Sequence, residues 1–161
     1  EESVSDRMPG FFAQIVQDPD KVVVDAFSPY TMHQRSASSY RANRVLLAGD
    51  SAHATNPTGG LGLTSGLFDT YVLAEALAAV VAGEADESVL DDYATERRRV
   101  FTEIVSPAAS NNKNLVYHSA DQEALEGQLE NLRRLETDKE AVVQRLLFPK
   151  SLETKSLIGA W

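Results

Sequence analysis

The residues best suited to chemistry lie between Arg44 and Asp69, in the stretch RVLLAGDSAHATNPTGGLGLTSGLFD. Gly49-Asp50 ends the short apolar run from Arg44, so a carboxylate is delivered to the end of what reads as a buried parallel strand. Pro57-Thr58-Gly59-Gly60-Leu61-Gly62 follows, too glycine-rich for a regular element. Leu63 to Ala82 then carries Leu67, Tyr71, Ala74, Leu77 and Val81 at helical spacing. In α/β sheets a strand end, a glycine loop and a helix start, in that order, form a nucleotide site. Asp50 can accept a charge-assisted hydrogen bond from a ribose hydroxyl, and bare backbone at Gly59, Gly60 and Gly62 admits a ligand to the main chain. Free N–H groups at the helix start favour an anionic group.

This block resembles the group A flavoprotein monooxygenases, enzymes of the aromatic-hydroxylase type that carry R-V-x-L-x-G-D-[AS]-A-H, then a P-x-x-G-x-G loop and a long helix. The resemblance implies that Asp50, beside Gly49, binds the ribose of FAD and that Pro57 lies next to the reactive flavin carbon, the one catalytic position assigned. It also implies that Gly59, Gly60 and Gly62 form the loop, and that Leu63 and Thr64 turn backbone N–H groups to the flavin pyrimidine edge. Thr64 stands where that family often has Asn, which changes a side-chain contact and leaves the backbone one. In such enzymes NAD(P)H reduces the flavin and one atom of O2 passes to an activated, usually phenolic, ring. Reduced flavin is an anion, and a helix N-terminus stabilises such a charge by roughly 0.3–2 kcal/mol.

The dinucleotide fingerprint G-x-G-x-x-G is absent: Gly60, Gly62 and Gly66 are spaced one residue too long and follow the wrong element. The implied fold class is an α+β fragment of an FAD-binding α/β fold. Residues 1–43 end a strand-rich substrate-binding region, 44–83 form the C-terminal part of the FAD domain, and 84–161 are a helical extension. The expected partners are the N-terminal half of the same protein, which binds the ADP portion, and a small aromatic substrate. The chain alone is expected to be inactive, and an oligomer stays open.

The elements that must position this block read as follows. Residues 6 to 17 suggest a short helix after Pro9, and Val22 to Phe27 a strand with extended chain towards Ser38. A polar link, Ser38 to Asn43, precedes the glycine-loop block. Gly83 reads as the stop of the long helix, and Ser88 with Asp91 as the cap of the next. Tyr93, Arg97, Val100, Ile104 and Val105 continue that helix until Pro107 kinks or ends it. The remainder reads as helical, with capping patterns at Ser119–Gln122 and Thr137–Glu140. The apolar stripe Leu125, Leu129, Leu132 and Leu135 is expected to pack on the body of the protein. Arg97-Arg98-Arg99 reads as a solvated, salt-bridged face and His53 as a satisfied buried histidine. For Tyr30, Met32, His33 and Arg35 two readings stay open, a substrate cavity or the alternation of a mixed sheet.

Composition narrows the alternatives. The 161 residues carry a net charge of -9, which repels phosphate backbones and argues against nucleic acid. With no cysteine and three scattered histidines, no metal site is expected. Leu73 to Ala82, broken by Glu75, is too short an apolar stretch for a membrane span, and no export signal opens the chain, so a cytoplasmic location is expected. Two other functions compete with the flavin reading. A GDS-type serine hydrolase would use Ser51 but lacks a downstream Asp-x-x-His, and a helical interaction or regulatory fragment would need no flavin.

Overall fold

A computed structural model describes residues 4–117 and 122–159, and the chain divides into two compact units, Glu1–Thr31 and Met32–Trp161. The first unit holds α1 (Val4–Ile15) and a 3-10 turn at Pro19–Lys21. Helix α1 begins before Pro9 and runs through it, so the expected start was too late. The predicted strand from Val22 to Phe27 is unpaired chain, with Val23 81% exposed. β-Branched residues favour extended backbone, but a strand needs a partner for its ladder, and none lies beside this segment among the described residues.

The second unit is α+β and mostly helical. Its strands are short: β1 (Arg35–Ser36) pairs antiparallel with β4 (His53–Ala54), and β2 (Arg41–Ala42) with β3 (Val45–Leu46). Asn43, at φ 55, makes the β2–β3 turn within what had read as a polar link. The run ending at Asp50 is therefore not a buried parallel strand in this chain. Among the described residues β3 has only an antiparallel neighbour, and Val45 is 61% exposed.

Helix α2 (Leu61–Ala82) starts at Leu61 and ends as expected at Gly83, whose left-handed backbone (φ 74) returns its N–H to the last carbonyls. Its orientation reverses the expected one. Leu61, Ser65, Asp69, Val72, Ala76 and Ala79 are buried, whereas Leu67, Tyr71 and Val81 are exposed. Small residues on the buried side allow close approach of α3 (Val89–Val100), and Asp69 finds a charged partner there, Arg97. By length and composition alone α2 is long and apolar enough to cross a bilayer, unlike the shorter stretch read from the sequence.

Ser88 makes no side-chain cap for α3; Asp86 Oδ1 instead accepts from Ser88 N at 2.9 Å. The chain then passes through a π turn (Phe101–Val105) into α4 (Ser106–Tyr117), so Pro107 lies in the first turn of α4 and does not end the helical path. The wider turn, in which Ser106 N–H reaches back to Phe101 O, falls just before the proline. α5 (Gln122–Thr137) and α6 (Lys139–Leu147) form a hairpin. Asp138, not Thr137, caps α6 by accepting from Glu140 N and Ala141 N. Leu129 and Leu132 remain 40% and 45% exposed, and among the described residues the main packing partner of α5 is α6. His118 and Ser119, the first residue of the Ser119–Gln122 pattern, lie outside the described residues.

The core joins Leu61, Val100, Phe101, Val105, Ala109 and Leu152 in one cluster and Tyr40, Ala52, Val72, Tyr93 and Ala94 in another. Tyr93 ties α3 to the strand before the glycine loop by donating to Leu47 O at 2.8 Å.

Candidate functional site

Gly49, Asp50 and Ser51 form a 3-10 turn lying directly on α2: a Cβ built on Gly66 would come within 3.1 Å of Gly49 Cα. Gly49 adopts φ 57, and its N–H donates to Asp69 Oδ2 at 3.0 Å. The Asp50 side chain is exposed, and among the described residues nothing donates to it. Ser51 Oγ donates to Ala48 O at 2.8 Å and accepts from Ala48 N at 3.1 Å, so the hydroxyl closes the turn, and among the described residues it meets no histidine.

Beneath the turn is a buried ionic cluster. Asp69 and Arg97 have fully buried side chains, joined by Arg97 Nε to Asp69 Oδ1 at 2.7 Å, and His53 Nε2 meets Asp69 Oδ2 at 2.7 Å. Burial pushes the Asp69 carboxyl up. Hydrogen bonds from His53 and Arg97, the Arg97 charge and the Gly49 N–H outweigh it and hold the group below the ordinary aspartate range. Because that carboxylate only accepts, Nε2 carries the imidazole proton, while Nδ1 has no partner. His53 is therefore buried as expected but satisfied at one nitrogen only, and its ring stacks on Phe101 at 4.3 Å. Arg97 also donates to Leu152 O at 2.8 Å and Thr154 Oγ1 at 2.9 Å, which anchors the C-terminal segment. The reading of Arg97 as solvated is thus corrected. Arg98 and Arg99 are the surface members of the triplet, Arg99 bound to Glu96 and Glu103.

The glycine loop is held by neutral groups. Thr58 N donates to Asn56 Oδ1 at 3.0 Å, and Asn56 Nδ2 donates to Ala109 O at 3.1 Å and to Gln34 Oε1 at 2.8 Å. Gly60 N closes on Pro57 O at 3.1 Å. Gly59 and Gly60 take left-handed backbone, φ 97 and 67, and a Cβ on Gly59 would meet Asn112 of α4 at once. Gly60 is the N-cap of α2. It offers no side-chain cap, and the first turn holds no acid, so no side chain of the cap or first turn meets the leading N–H groups of the helix. Pro57, Gly59, Gly60 and Leu63 are exposed; Gly62 and Thr64 are half-buried, with Thr64 Oγ1 donating back to Gly60 O at 3.3 Å. A cavity of about 670 Å³ opens beside Gly59 and Thr64, bounded by Asn111, Asn112, Arg145 and Phe148.

The structure thus brings Gly49 and Asp50 to one end of α2's buried face and Pro57 to Thr64 to the helix start. Of the residues beneath them, sequence reasoning passed over Asp69, Asn56 and Gln34 and read Arg97 as solvated. A signal existed for two of these. Asp69 is one of only two charges in the apolar α2, and Arg97 falls in the apolar spacing of α3. Met32 and Gln34 are half-buried while His33 and Arg35 point outward, an alternation that leaves both earlier readings of this segment open; Tyr30, in the first unit, is exposed.

Comparison with known proteins agrees with this geometry. Residues 11–108 match the FAD binding domain family model. Over 153 residues the chain is 41% identical to 6-hydroxy-3-succinoylpyridine 3-monooxygenase HspB of Pseudomonas putida (strain DSM 28022 / S16), covering 95% of this chain and 39% of that protein. It is 49% identical over 109 residues to para-nitrophenol 4-monooxygenase of Pseudomonas sp. (strain WBC-3), 66% of this chain and 27% of that one. The crystal structure of p-nitrophenol 4-monooxygenase PnpA from Pseudomonas putida DLL-E4 superposes with a TM-score of 0.77 at 39% identity, covering 94% of this chain and 40% of PnpA. The Diels-Alderase PyrE3 superposes at 0.66 with 28% identity, over 97% of this chain and 33% of its own. The chain therefore spans two-fifths or less of the length of these relatives.

Proposed function

Because the chain belongs to the FAD binding domain family, we propose that it forms the C-terminal side of the FAD site in a longer monooxygenase, one that uses NAD(P)H and O2 to oxygenate a phenolic ring. The observation that carries this reading is the pairing of two open features. The Asp50 carboxylate is exposed and unpartnered, and an uncapped helix start is reached through left-handed glycines. An unpaired carboxylate and free backbone donors suit a ribose hydroxyl and an anionic ring edge respectively, so the residues present fit the cofactor.

In this reading Asp50 accepts from the ribose, with Gly49 shaping the turn. Gly59, Gly60 and Gly62 let the ring approach the backbone, and Leu63 and Thr64 donate their N–H groups to its pyrimidine edge. Pro57, which has no N–H of its own, walls the reactive side with apolar ring. FAD, when bound, supplies the electron transfer from NAD(P)H and the activation of O2. Residues 1–43 then end the substrate-binding region, 44–83 complete the FAD domain and 84–161 form its helical extension. The N-terminal half of the same polypeptide supplies the ADP site, and the exposed Leu63, Leu67 and Tyr71 of α2 give it an apolar face to cover. α2 is read as a core helix, since its buried Asp69 is paired with Arg97, and a cytoplasmic location fits a pyridine-nucleotide reductant.

The test is FAD titration of the complete protein and of Asp50→Ala. The variant is expected to lose about 1.5–3 kcal/mol of FAD affinity, roughly 10- to 150-fold in Kd, with an unchanged unfolding midpoint of the flavin-free protein, because no described residue bonds to the Asp50 side chain. Equal affinity removes Asp50 from the site. A complete protein that takes up no flavin and consumes no NAD(P)H with phenols ends the reading. A second reading, a helical interaction module, draws on the exposure of Leu132 on α5 and Leu146 on α6. The same titration separates the two, since that module needs no flavin.

A further inference from the structure

Gln34 spans three segments around the glycine loop, and neither the resemblance nor the relatives give it a role. Its Nε2 donates to Ser106 O at 2.8 Å and Ser106 Oγ at 2.7 Å and lies 2.9 Å from Ser110 Oγ; its Oε1 accepts from Asn56 Nδ2 at 2.8 Å. The orientation of both amides follows from backbone groups that have only one role each. Thr58 N–H can only donate and Ala109 O only accept, which fixes Asn56. Asn56 Nδ2 then requires an acceptor from Gln34, and the other end of Gln34 meets the carbonyl of Ser106, which requires a donor. The chain of bonds runs without conflict from β1's approach, through Asn56, to the N–H of Thr58.

We propose that Gln34 is a positioning residue for the flavin-facing loop. It locks Asn56 between the strand and α4, and Asn56 in turn sets Thr58 and the left-handed Gly59-Gly60 pair that opens α2. The π turn contributes by aiming the first turn of α4, with Ser106 and Ser110, at Gln34. His33 and Arg35 flank Gln34 on the outward face, so a shift of that segment reaches the loop through one side chain. This role rests on the FAD reading above.

Two substitutions in the full-length protein test it. Gln34→Met keeps the length and removes every bond. Gln34→Glu keeps acceptors for Asn56 and the two serine hydroxyls and loses the donation to Ser106 O. For Gln34→Met, Kd for FAD is expected to rise about tenfold, the equivalent of one or two net hydrogen bonds, with a shifted visible flavin band; Gln34→Glu should stay within about threefold. In the flavin-free full-length protein, Gln34→Met should speed amide exchange at Thr58 and Gly60 about tenfold while leaving Gly49 unchanged, because Gly49 hangs on Asp69 instead. A merely structural side chain would loosen both places together, and that result overturns the proposal. So does a Gln34→Met protein with wild-type Kd and exchange, or one that Gln34→Glu matches in full. If wild-type protein takes up no FAD, the functional reading falls and this role with it. Normal uptake with no effect at Gln34 removes the role alone.

Discussion

The two ends of the candidate cofactor site are held by opposite means. The Gly49-Asp50 turn hangs on a fully buried ionic cluster, Asp69 with Arg97 and His53. The Pro57–Gly60 loop hangs on uncharged amides and hydroxyls: Asn56, itself buried, with Gln34 and the first turns of α4, which are partly buried. Charges without water are strongly coupled, and removing one strands the others. Uncharged groups lose less when a single bond breaks than a buried ion pair does. The turn should therefore be rigid and all-or-none, and the loop adjustable in small steps.

The largest expected effect breaks the rigid end. Arg97→Met leaves the Asp69 carboxylate buried without its cation and frees Leu152 O and Thr154 from their donor. A loss of about 3–5 kcal/mol is expected, a large part of typical domain stability, read as a lower denaturant midpoint of the full-length protein. Arg97→Met combined with Asp69→Asn should recover part of that loss, since no uncompensated charge remains. If Arg97→Met alone costs less than 1 kcal/mol, roughly the value of a surface pair, the contrast between the two ends collapses.

A smaller effect is expected at the adjustable end. Gly59→Ala must hold an alanine at φ 97 and push Asn112 aside. The strain is about 1–3 kcal/mol and should show as weaker FAD binding more than as a lower unfolding midpoint. Adding Asn112→Ala removes the collision but not the backbone strain, so it should restore affinity only in part. Full restoration would mean that the asparagine, and not the left-handed conformation, makes glycine necessary there.

The same contrast explains what the sequence disclosed. Local backbone demands were legible: the glycine loop and the stop at Gly83 follow from residue type and spacing, whereas Asp50 lies on a 3-10 turn and not at the end of the expected parallel strand. The assignment of faces was not. α2 is apolar on nearly every side, so periodicity could not tell which face was buried, and the stripe chosen from it, through Leu67 and Tyr71, turned out to be the exposed one. The strands misled for a related reason. Val22 to Phe27 and Val45 to Leu46 carry β-forming residues, but pairing is decided by neighbours that lie far along the chain or are not among the described residues. Gln34 and Asn56 gave no warning because their roles exist only once α4 is in place.

The smallest expected effect sharpens the comparison within one helical turn. Arg99 is bonded to Glu96 and Glu103 at distances of 2.8 and 3.2 Å, as close in kind as the contact between Arg97 and Asp69. Two positions on a helix turn about 200°, so the side chains leave α3 on opposite sides, one into the core and one into water. Water screens the Arg99 pairs and replaces them when they break, so Arg99→Ala should change the unfolding midpoint by no more than about 0.5 kcal/mol and leave FAD affinity unaltered. A loss comparable to that of Arg97→Met would show that charge on α3 matters irrespective of burial. Near-neutrality would show that an arginine's contribution here is set by the water removed around it, and not by the number of carboxylates it touches.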